Sequence, residues 1–168
     1  MESQKEQIII LDLGSQYTQI IAREILRVGV KSKILKTDEI EKYLEKNKPK
    51  GIILSGGASS VYDSDAPFIS ENIFSTGVPV LGICFGMQYL AYRKNEKLVT
   101  GVNKSQKEYG PIEIEVLGGK LLGGLDKKLK VWASHGDIVN DVPKGFKVTA
   151  KSENVIEAME NEEEKLYA

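Results

Sequence analysis

Apolar runs alternate with polar and amphipathic segments through the first half of the chain. Four such runs cover residues 7–13, 32–36, 51–55 and 78–83, and their centres are aliphatic. Short aliphatic runs of this kind are typical of strands that are buried on both faces of a parallel sheet. The pattern therefore predicts four strands, each followed by a segment long enough to cross back over the sheet.

The segments between the runs predict helices. The first has apolar residues at helical spacing, namely Tyr17, Ile21, Ile25 and Val28. Ser15 is a candidate cap for this helix, and Asp38 is a candidate cap for a charged helix that ends near residue 46. Two further helices are predicted over 66–75 and over 84–93. Strands that alternate with helices favour a sheet covered on both sides.

The second half of the chain is richer in strand patterns. Shorter candidates lie at 112–116, 129–133, 146–150 and 155–159, with Gly-Gly turns between some of them. We find no repeat and no linker, so residues 1–168 are predicted to form a single domain. The predicted fold class is α/β: a three-layer, mostly parallel, doubly wound sheet with helices on both faces and a β-rich second half.

The charge balance argues against two classes of partner. The chain has 23 basic and 24 acidic residues, and neither sign is concentrated in a long block. A broad basic face for nucleic acid and a polybasic membrane contact are therefore not expected. The single cysteine cannot form an internal disulfide, which fits a reducing cytoplasm. With one histidine in the chain, we also expect no metal site.

The single cysteine lies where an apolar run meets a predicted helix. Cys84 has Gly82 two residues before it and Gly86 two residues after it. A nucleophile on a tight strand-to-helix turn needs small neighbours at both places, and the start of the helix favours the thiolate. A free cysteine at a strand end is also often only a small buried hydrophobe. The glycine spacing by itself leaves both interpretations open.

Several motifs together resemble one enzyme family. The run GICFGMQ at 82–88 resembles the nucleophile elbow of class I, triad-type glutamine amidotransferases. Four further segments resemble, in order, parts of the glutaminase domains of GMP synthetases: LDLGSQYTQIIAREILRVGV, GIILSGGASSVYD, KEYG and VWASHGD. The resemblance runs from about residue 8 to residue 168, and it implies the flavodoxin-like fold of that family.

The resemblance implies roles for particular residues. Cys84 corresponds to the nucleophile that attacks the side-chain amide of glutamine, and the backbone amides of Gly57 and Phe85 correspond to the oxyanion hole. The residues implied to contact glutamine are Gln88, Ser134, His135, Gly136 and Asp137. No metal or cofactor is implied in this domain.

The general base is implied to lie elsewhere. His135 is the only histidine of the chain, but the family's base belongs to a later His-Pro-Glu segment, whose glutamate orients the ring. That segment is expected a few residues past Ala168. Either the 168 residues are part of a longer protein, or they form a short natural version that has lost activity. We favour the first, and expect these residues alone to be inactive.

The implied function is supply of ammonia to a synthetase. By resemblance, glutamine is hydrolysed through a cysteine thioester, and the ammonia serves the ATP-dependent amination of XMP to GMP. ATP and magnesium are expected on the partner synthetase domain or subunit, and glutamine is the expected ligand here. The alternatives are a non-catalytic module that binds glutamine or docks a synthetase, another class I amidotransferase, and another cysteine hydrolase of similar architecture.

Overall fold

The parallel strands form from the aliphatic runs of the first half. The structure, a computed structural model, describes residues 7–101, 108–153 and 155–168. The first four strands are β1 (Ile8–Leu11), β2 (Ser32–Leu35), β3 (Gly51–Leu54) and β4 (Val80–Gly82). All four lie within the predicted runs and are shorter than them. Strands β2, β3 and β4 pair in parallel with their neighbours in the order β2-β1-β3-β4.

Seven further strands follow in the described part of the second half. They are β5 (Val99–Gly101), β6 (Glu108–Val116), β7 (Lys128–His135), β8 (Asp137–Val139), β9 (Lys147–Lys151), β10 (Ile156–Asn161) and β11 (Leu166–Tyr167). The four predicted strands correspond to β6, β7, β9 and β10, and the prediction missed β5, β8 and β11. Strands β5 and β8 pair only with each other, in a small separate sheet.

The main sheet has a parallel half and an antiparallel half. Its nine strands follow the order β2-β1-β3-β4-β11-β10-β9-β6-β7. The pairings from β2 to β11 are parallel, and those from β11 to β7 are antiparallel. This confirms the α/β class and the β-rich second half.

The helices are shorter than predicted. They are α1 (Thr18–Arg27), α2 (Ile40–Leu44), α3 (Asn72–Ser75) and α4 (Phe85–Tyr92). The prediction of a helix over 66–75 is wrong for its first six residues. There the Ser70 hydroxyl donates to Glu41 of α2 at 2.6 Å and accepts the amide of Asn72 at 3.3 Å, which favours a turn. In the described part of the chain, none of the helices could span a membrane.

Two predicted helix caps are also wrong. Ser15 lies three residues before α1, where its hydroxyl accepts the amide of Tyr17 at 3.0 Å, and the helix begins only at Thr18. Asp38 is replaced at the start of α2 by Glu39, which accepts the amide of Lys36 at 2.8 Å. At Ser15 the hydroxyl is used in a local turn and is not placed to cap the helix.

The two faces of the parallel half differ in how completely they are covered. One face packs Ile9, Ile52 and Val80 against α2, α3 and α4 in the main hydrophobic core. The other face carries α1, whose one buried residue is Thr18. The predicted apolar face of α1 borders an open groove instead, together with Ile53 and Leu81 of the sheet. Helices therefore lie on both faces, but the second layer is thin.

Candidate active site

A strained backbone presents Cys84 at the end of β4. The residue has φ 52° and ψ −109°, a left-handed backbone conformation that is rare for a side chain other than glycine. The chain turns there from β4 directly into α4. Such strain persists only where the surrounding structure over-determines the backbone, and it concentrates at functional sites.

The two glycines flanking Cys84 allow the turn to form. A β-carbon on Gly82 would lie 2.5 Å from the carbonyl carbon and oxygen of Gly86. A β-carbon on Gly86 would lie 2.6 Å from the carbonyl oxygen of Leu54 in β3. Both contacts are with backbone atoms, which cannot rotate away. Small residues are therefore needed at both positions, as predicted, because other backbone atoms pack directly against them.

Two backbone amides converge on the sulfur. The backbone N–H groups of Phe85 and Gly57 both act on the Cys84 thiol and lower its pKa, so they favour its anion. The Phe85 amide belongs to the first turn of α4, while the Phe85 side chain is buried in the core. Two N–H groups aimed at one point can stabilise a developing negative charge.

The Gly57 amide is held by the loop that follows β3. The buried hydroxyl of Ser55 accepts the amide of Leu13 at 3.0 Å and donates to the carbonyl of Gly56 at 3.0 Å. A β-carbon on Gly57 would lie 2.6 Å from the carbonyl oxygen of Leu13, so the loop touches the end of β1. These contacts fix the loop beside the elbow.

The thiol is harder to ionise than the helix position suggested. Burial raises the pKa of the Cys84 thiol, and the carboxylate of Asp137 raises it further. The amides of Phe85 and Gly57 oppose this rise without cancelling it. The amide at the start of the helix favours the thiolate, as expected, but burial outweighs it in the net pKa. The thiol is stored protonated and needs a proton acceptor before it can attack.

The segment between β7 and β8 forms the facing wall. The carbonyl oxygen of Ser134 lies 3.9 Å from the Cys84 sulfur, which donates toward it. The side-chain amide of Gln88, one turn into α4, donates to the carbonyl of Asp137 at 2.8 Å. Gln88 is buried, so it ties the wall to the elbow helix as well as lining the cavity.

Ser60 is a site residue that the sequence did not reveal. Its hydroxyl donates to Oδ2 of Asp137 at 2.6 Å across 77 positions of sequence. Its own loop is closed by Asp63, which accepts the amide of Ser60 at 2.7 Å. One serine among several in a small-residue loop gives no signal of a contact so distant along the chain.

A cavity of about 1430 Å³ joins these walls. Seven of the eight predicted site residues line it: Gly57, Cys84, Gln88, Ser134, His135, Gly136 and Asp137. The eighth, Phe85, contributes its backbone amide, which acts on the thiol of Cys84.

His135 is half-buried at the end of β7, on the strand face opposite that of Ser134. Lys107 of the KEYG segment lies outside the described residues.

The arrangement suits attack on a small amide or ester of an amino acid. It offers a sulfur nucleophile, two converging amides, a carboxylate and carbonyl oxygens within one open cavity. A carboxylate such as Asp137 can bind the ammonium group of a free amino acid. Among the described residues, no group of three His, Cys, Asp or Glu side chains is placed to hold a metal ion.

The sequence matches one protein family along almost its whole length. The match is to "Glutamine amidotransferase class-I" and covers residues 9–168. It therefore includes all of β1 except its first residue, the elbow and both walls of the cavity.

Curated relatives bear the name GMP synthase [glutamine-hydrolyzing]. The protein from Lactobacillus gasseri is 47% identical over 165 residues, covering 96% of this chain and 31% of the relative. The protein from Brachyspira hyodysenteriae is 39% identical over 170 residues, covering 100% of this chain and 32% of the relative. The chain thus spans about a third of the length of these relatives.

Solved structures share the fold. A Thermoplasma acidophilum protein, described as one of the subunits of a GMP synthase, superposes with a TM-score of 0.77 at 25% identity, covering 96% of this chain and 80% of that one. A glutamine amidotransferase from Thermotoga maritima superposes with a TM-score of 0.71 at 22% identity, covering 98% and 74%. The second likeness concerns the fold alone.

Proposed function

Since the chain belongs to the class-I glutamine amidotransferase family, we propose that it hydrolyses glutamine at Cys84 and delivers the ammonia to a GMP-forming synthetase. The observation that carries the proposal is the convergence of the Phe85 and Gly57 amides on a strained, cavity-facing cysteine. Backbone donors beside a nucleophilic sulfur are close enough to hold the oxygen of the carbonyl that the sulfur attacks, as acyl transfer through a thioester requires.

The reaction proceeds in two halves. The sulfur of Cys84 attacks the side-chain carbonyl carbon of glutamine, and the negative charge that develops on the oxygen is held by the Phe85 and Gly57 amides. The carbon–nitrogen bond then breaks, and ammonia leaves with the proton that came from the thiol. Water adds to the thioester carbon and the carbon–sulfur bond breaks. Glutamate is released, and the free thiol is regenerated.

The facing wall holds the amino acid end of glutamine. The Asp137 carboxylate binds the substrate ammonium, and the wall between Ser134 and Gly136 contacts the rest of the amino acid end. Ser60 and Gln88 hold Asp137 from opposite sides, through its carboxylate and its carbonyl. Binding at a fixed distance from the sulfur aligns the amide for attack.

A proton acceptor is needed because burial raises the pKa of the Cys84 thiol. We assign this role to the histidine of the family's His-Pro-Glu segment rather than to His135. Strand β11 supports the assignment: it pairs in parallel with β4, with Tyr167 opposite Leu81, which brings Ala168 level with the start of the elbow. A segment following β11 would therefore enter beside Cys84.

The acceptor of the ammonia is proposed to be a synthetase domain or subunit. The curated relatives named GMP synthase are about three times as long as this chain, which leaves room for such a part. ATP and magnesium would bind there, where XMP would be aminated to GMP. The near balance of 23 basic and 24 acidic residues gives no support for nucleic acid or a membrane as partner. We place the reaction in the cytoplasm, where a lone thiol stays reduced.

Covalent labelling tests the glutaminase half of the proposal. The synthetase-containing protein is incubated with acivicin, an electrophilic glutamine analogue, and its intact mass is measured. We expect one equivalent of adduct on Cys84, protection by glutamine, and no adduct in Cys84→Ala. Absence of the adduct, or labelling that glutamine does not slow, would contradict the proposal and favour a non-catalytic module or a different hydrolase.

A further inference from the structure

The two-stranded ribbon of β6 and β7 has one face turned to solvent. On that face Tyr109 lies opposite Ser134 and Pro111 lies opposite Trp132, followed by two pairs of charged residues. Side chains of β7 alternate between this exposed face and a partly buried one, as expected for a ribbon with one packed face. The composition of the exposed face therefore changes along the ribbon from apolar to charged.

The apolar end forms an aromatic patch, which we define as Tyr109, Pro111 and Trp132. The side chains of Tyr109 and Trp132 are 65% and 70% exposed, and Pro111 between them is also exposed. Trp132 is the one tryptophan of the chain. Tyrosine and tryptophan are enriched in the centres of protein interfaces, where they supply most of the binding energy.

The aromatic patch lies at the mouth of the active site, and Tyr109 and Trp132 are among the residues that line the active-site cavity. Ser134, which pairs with Tyr109 and follows Trp132 by two positions, places its carbonyl oxygen 3.9 Å from the Cys84 sulfur. Neighbours on one face of a strand are separated by roughly 7 Å. A partner that covered the aromatic patch would therefore stand directly beside the point where ammonia is released.

The charged end of the ribbon has the character of an interface rim. Glu113 and Lys128 form an ion pair at 2.8 Å, and both side chains are more than half exposed. Glu115 lies next along the same face and contacts Lys151 of β9 at 3.5 Å. Such exposed pairs add little energy but surround an apolar centre with polar groups, as in many interfaces.

We propose that the aromatic patch is the docking surface for the ammonia-using synthetase. This rests on the proposed function, because only a reaction that passes ammonia onward requires a partner at this mouth. The curated relatives are about three times as long as this chain, so they contain a part large enough to cover the patch. The partner is expected to present an apolar recess for Trp132, with charges at its edge that complement Glu113 and Lys130.

Substitutions in the synthetase-containing protein test the docking surface. The variants are Trp132→Ala and Tyr109→Ala, both at residues that line the mouth of the cavity, and the control is Phe68→Ala, an aromatic residue that is 76% exposed and lies outside the cavity. Three quantities are measured: GMP formation with glutamine, GMP formation with an ammonium salt, and labelling of Cys84 by acivicin. GMP formation with an ammonium salt does not require docking, and labelling of Cys84 reports on the glutaminase site alone.

Loss of a central aromatic residue typically costs an interface a factor of about ten or more. We therefore expect Trp132→Ala to reduce glutamine-supported synthesis at least tenfold and Tyr109→Ala to reduce it less. Ammonium-supported synthesis and Cys84 labelling should stay within about twofold of the unsubstituted protein, and Phe68→Ala should change none of the three.

Three results would overturn the docking surface. In the first, both variants retain GMP formation with glutamine. In the second, a variant loses Cys84 labelling as well as GMP formation. In the third, a variant changes the self-association of the protein while GMP formation stays intact. The last result would assign the patch to a second copy of the chain. If the unsubstituted protein is neither labelled nor able to use glutamine, the proposed function fails instead.

Discussion

The two halves of the main sheet are stabilised by different kinds of contact. In the parallel half, Ile9, Leu11 and Leu54 are fully buried in one large hydrophobic core. In the antiparallel half the buried hydrophobic cluster is small, and it is accompanied by the buried polar residues Thr149, Glu160 and Asn161. One half is therefore held mainly by apolar packing, and the other depends more on hydrogen bonds and charge.

The active site contains parts of both halves, and these parts are held in the same two ways. The elbow and the Gly57 loop follow parallel strands and are fixed by backbone atoms in contact. The wall from Ser134 to Asp137 joins β7 to β8 and is held by the side chains of Ser60 and Gln88. Substitutions at the elbow should therefore abolish the site or leave it intact. Substitutions at the wall should weaken glutamine binding by intermediate amounts.

The largest effect is expected from Gly82→Ala. The new methyl group would overlap the backbone of Gly86, so either the elbow shifts or the domain unfolds. We expect a loss of about 3 kcal/mol in the free energy of unfolding, together with loss of acivicin labelling at Cys84. Chemical denaturation and intact mass measure the two effects.

Gly51→Ala is the matched control for the elbow. Its methyl group would lie 3.1 Å from the flexible end of Ile8 and 3.7 Å from the carbonyl of Pro79, so little has to move. The variant should keep its labelling and nearly all of its stability. Equal behaviour of the two glycine variants would contradict the view that contacts between backbone atoms fix the elbow.

An intermediate effect is expected from Glu160→Gln in the antiparallel half. The Glu160 carboxylate is 1% exposed, accepts the amide of Lys120 at 2.9 Å and contacts the ammonium of Lys147 at 3.0 Å. Replacing the charge weakens these bonds, and we expect a loss of about 2 kcal/mol at neutral pH. The free energy of unfolding is measured by denaturation across a pH series.

The stabilisation by Glu160 should depend on pH in one direction. Burial opposes ionisation of Glu160, but the amides of Lys120 and Leu121 and the ammonium of Lys147 outweigh it, so the pKa lies below its usual range. The stabilisation should be complete above the unfolded pKa of about 4.3 and lost as the pH falls through the lower folded value. Glu162→Gln, at an exposed residue that also pairs with Lys147, should cost about 0.5 kcal/mol or less. If Glu160→Gln and the unsubstituted protein differed in free energy of unfolding by the same amount at every pH, the ionised Glu160 would not be the source of the stabilisation.

The smallest effect is expected from Ser60→Ala at the facing wall. The variant removes the 2.6 Å hydrogen bond to Asp137 while leaving the elbow intact. A bond of this kind contributes about 1 kcal/mol, so KM for glutamine should rise about fivefold with little change in kcat. Steady-state kinetics of the synthetase-containing protein measure both constants. Ser64→Ala, at an exposed position of the same region, should leave KM unchanged, and a fall in kcat for Ser60→Ala would place its role elsewhere.

The strands were predictable because their signal is local. Aliphatic runs at 7–13, 51–55 and 78–83 became β1, β3 and β4, since uniform apolar character is required of a strand buried on both faces. The helix predicted over 66–75 shrank to α3, because the Ser70 hydroxyl finds a partner on another helix. Capping at Ser15 failed for a similar reason, because its hydroxyl accepts the amide of Tyr17 in a turn before the helix, and sequence alone does not choose between the two partners.

The amino-acid sequence indicated the elbow, because the two glycines around Cys84 leave room for a tight turn between an apolar run and a helix, and the motif resembles that of one enzyme family. It also determined which residues could share a cavity, through motifs that follow successive strands. The tertiary structure decided the net rise in the pKa of Cys84, the contact of Ser60 with Asp137, and the exposure of Trp132 beside the site mouth. Burial and long-range contacts depend on which elements meet in space, and no local pattern of residues encodes that.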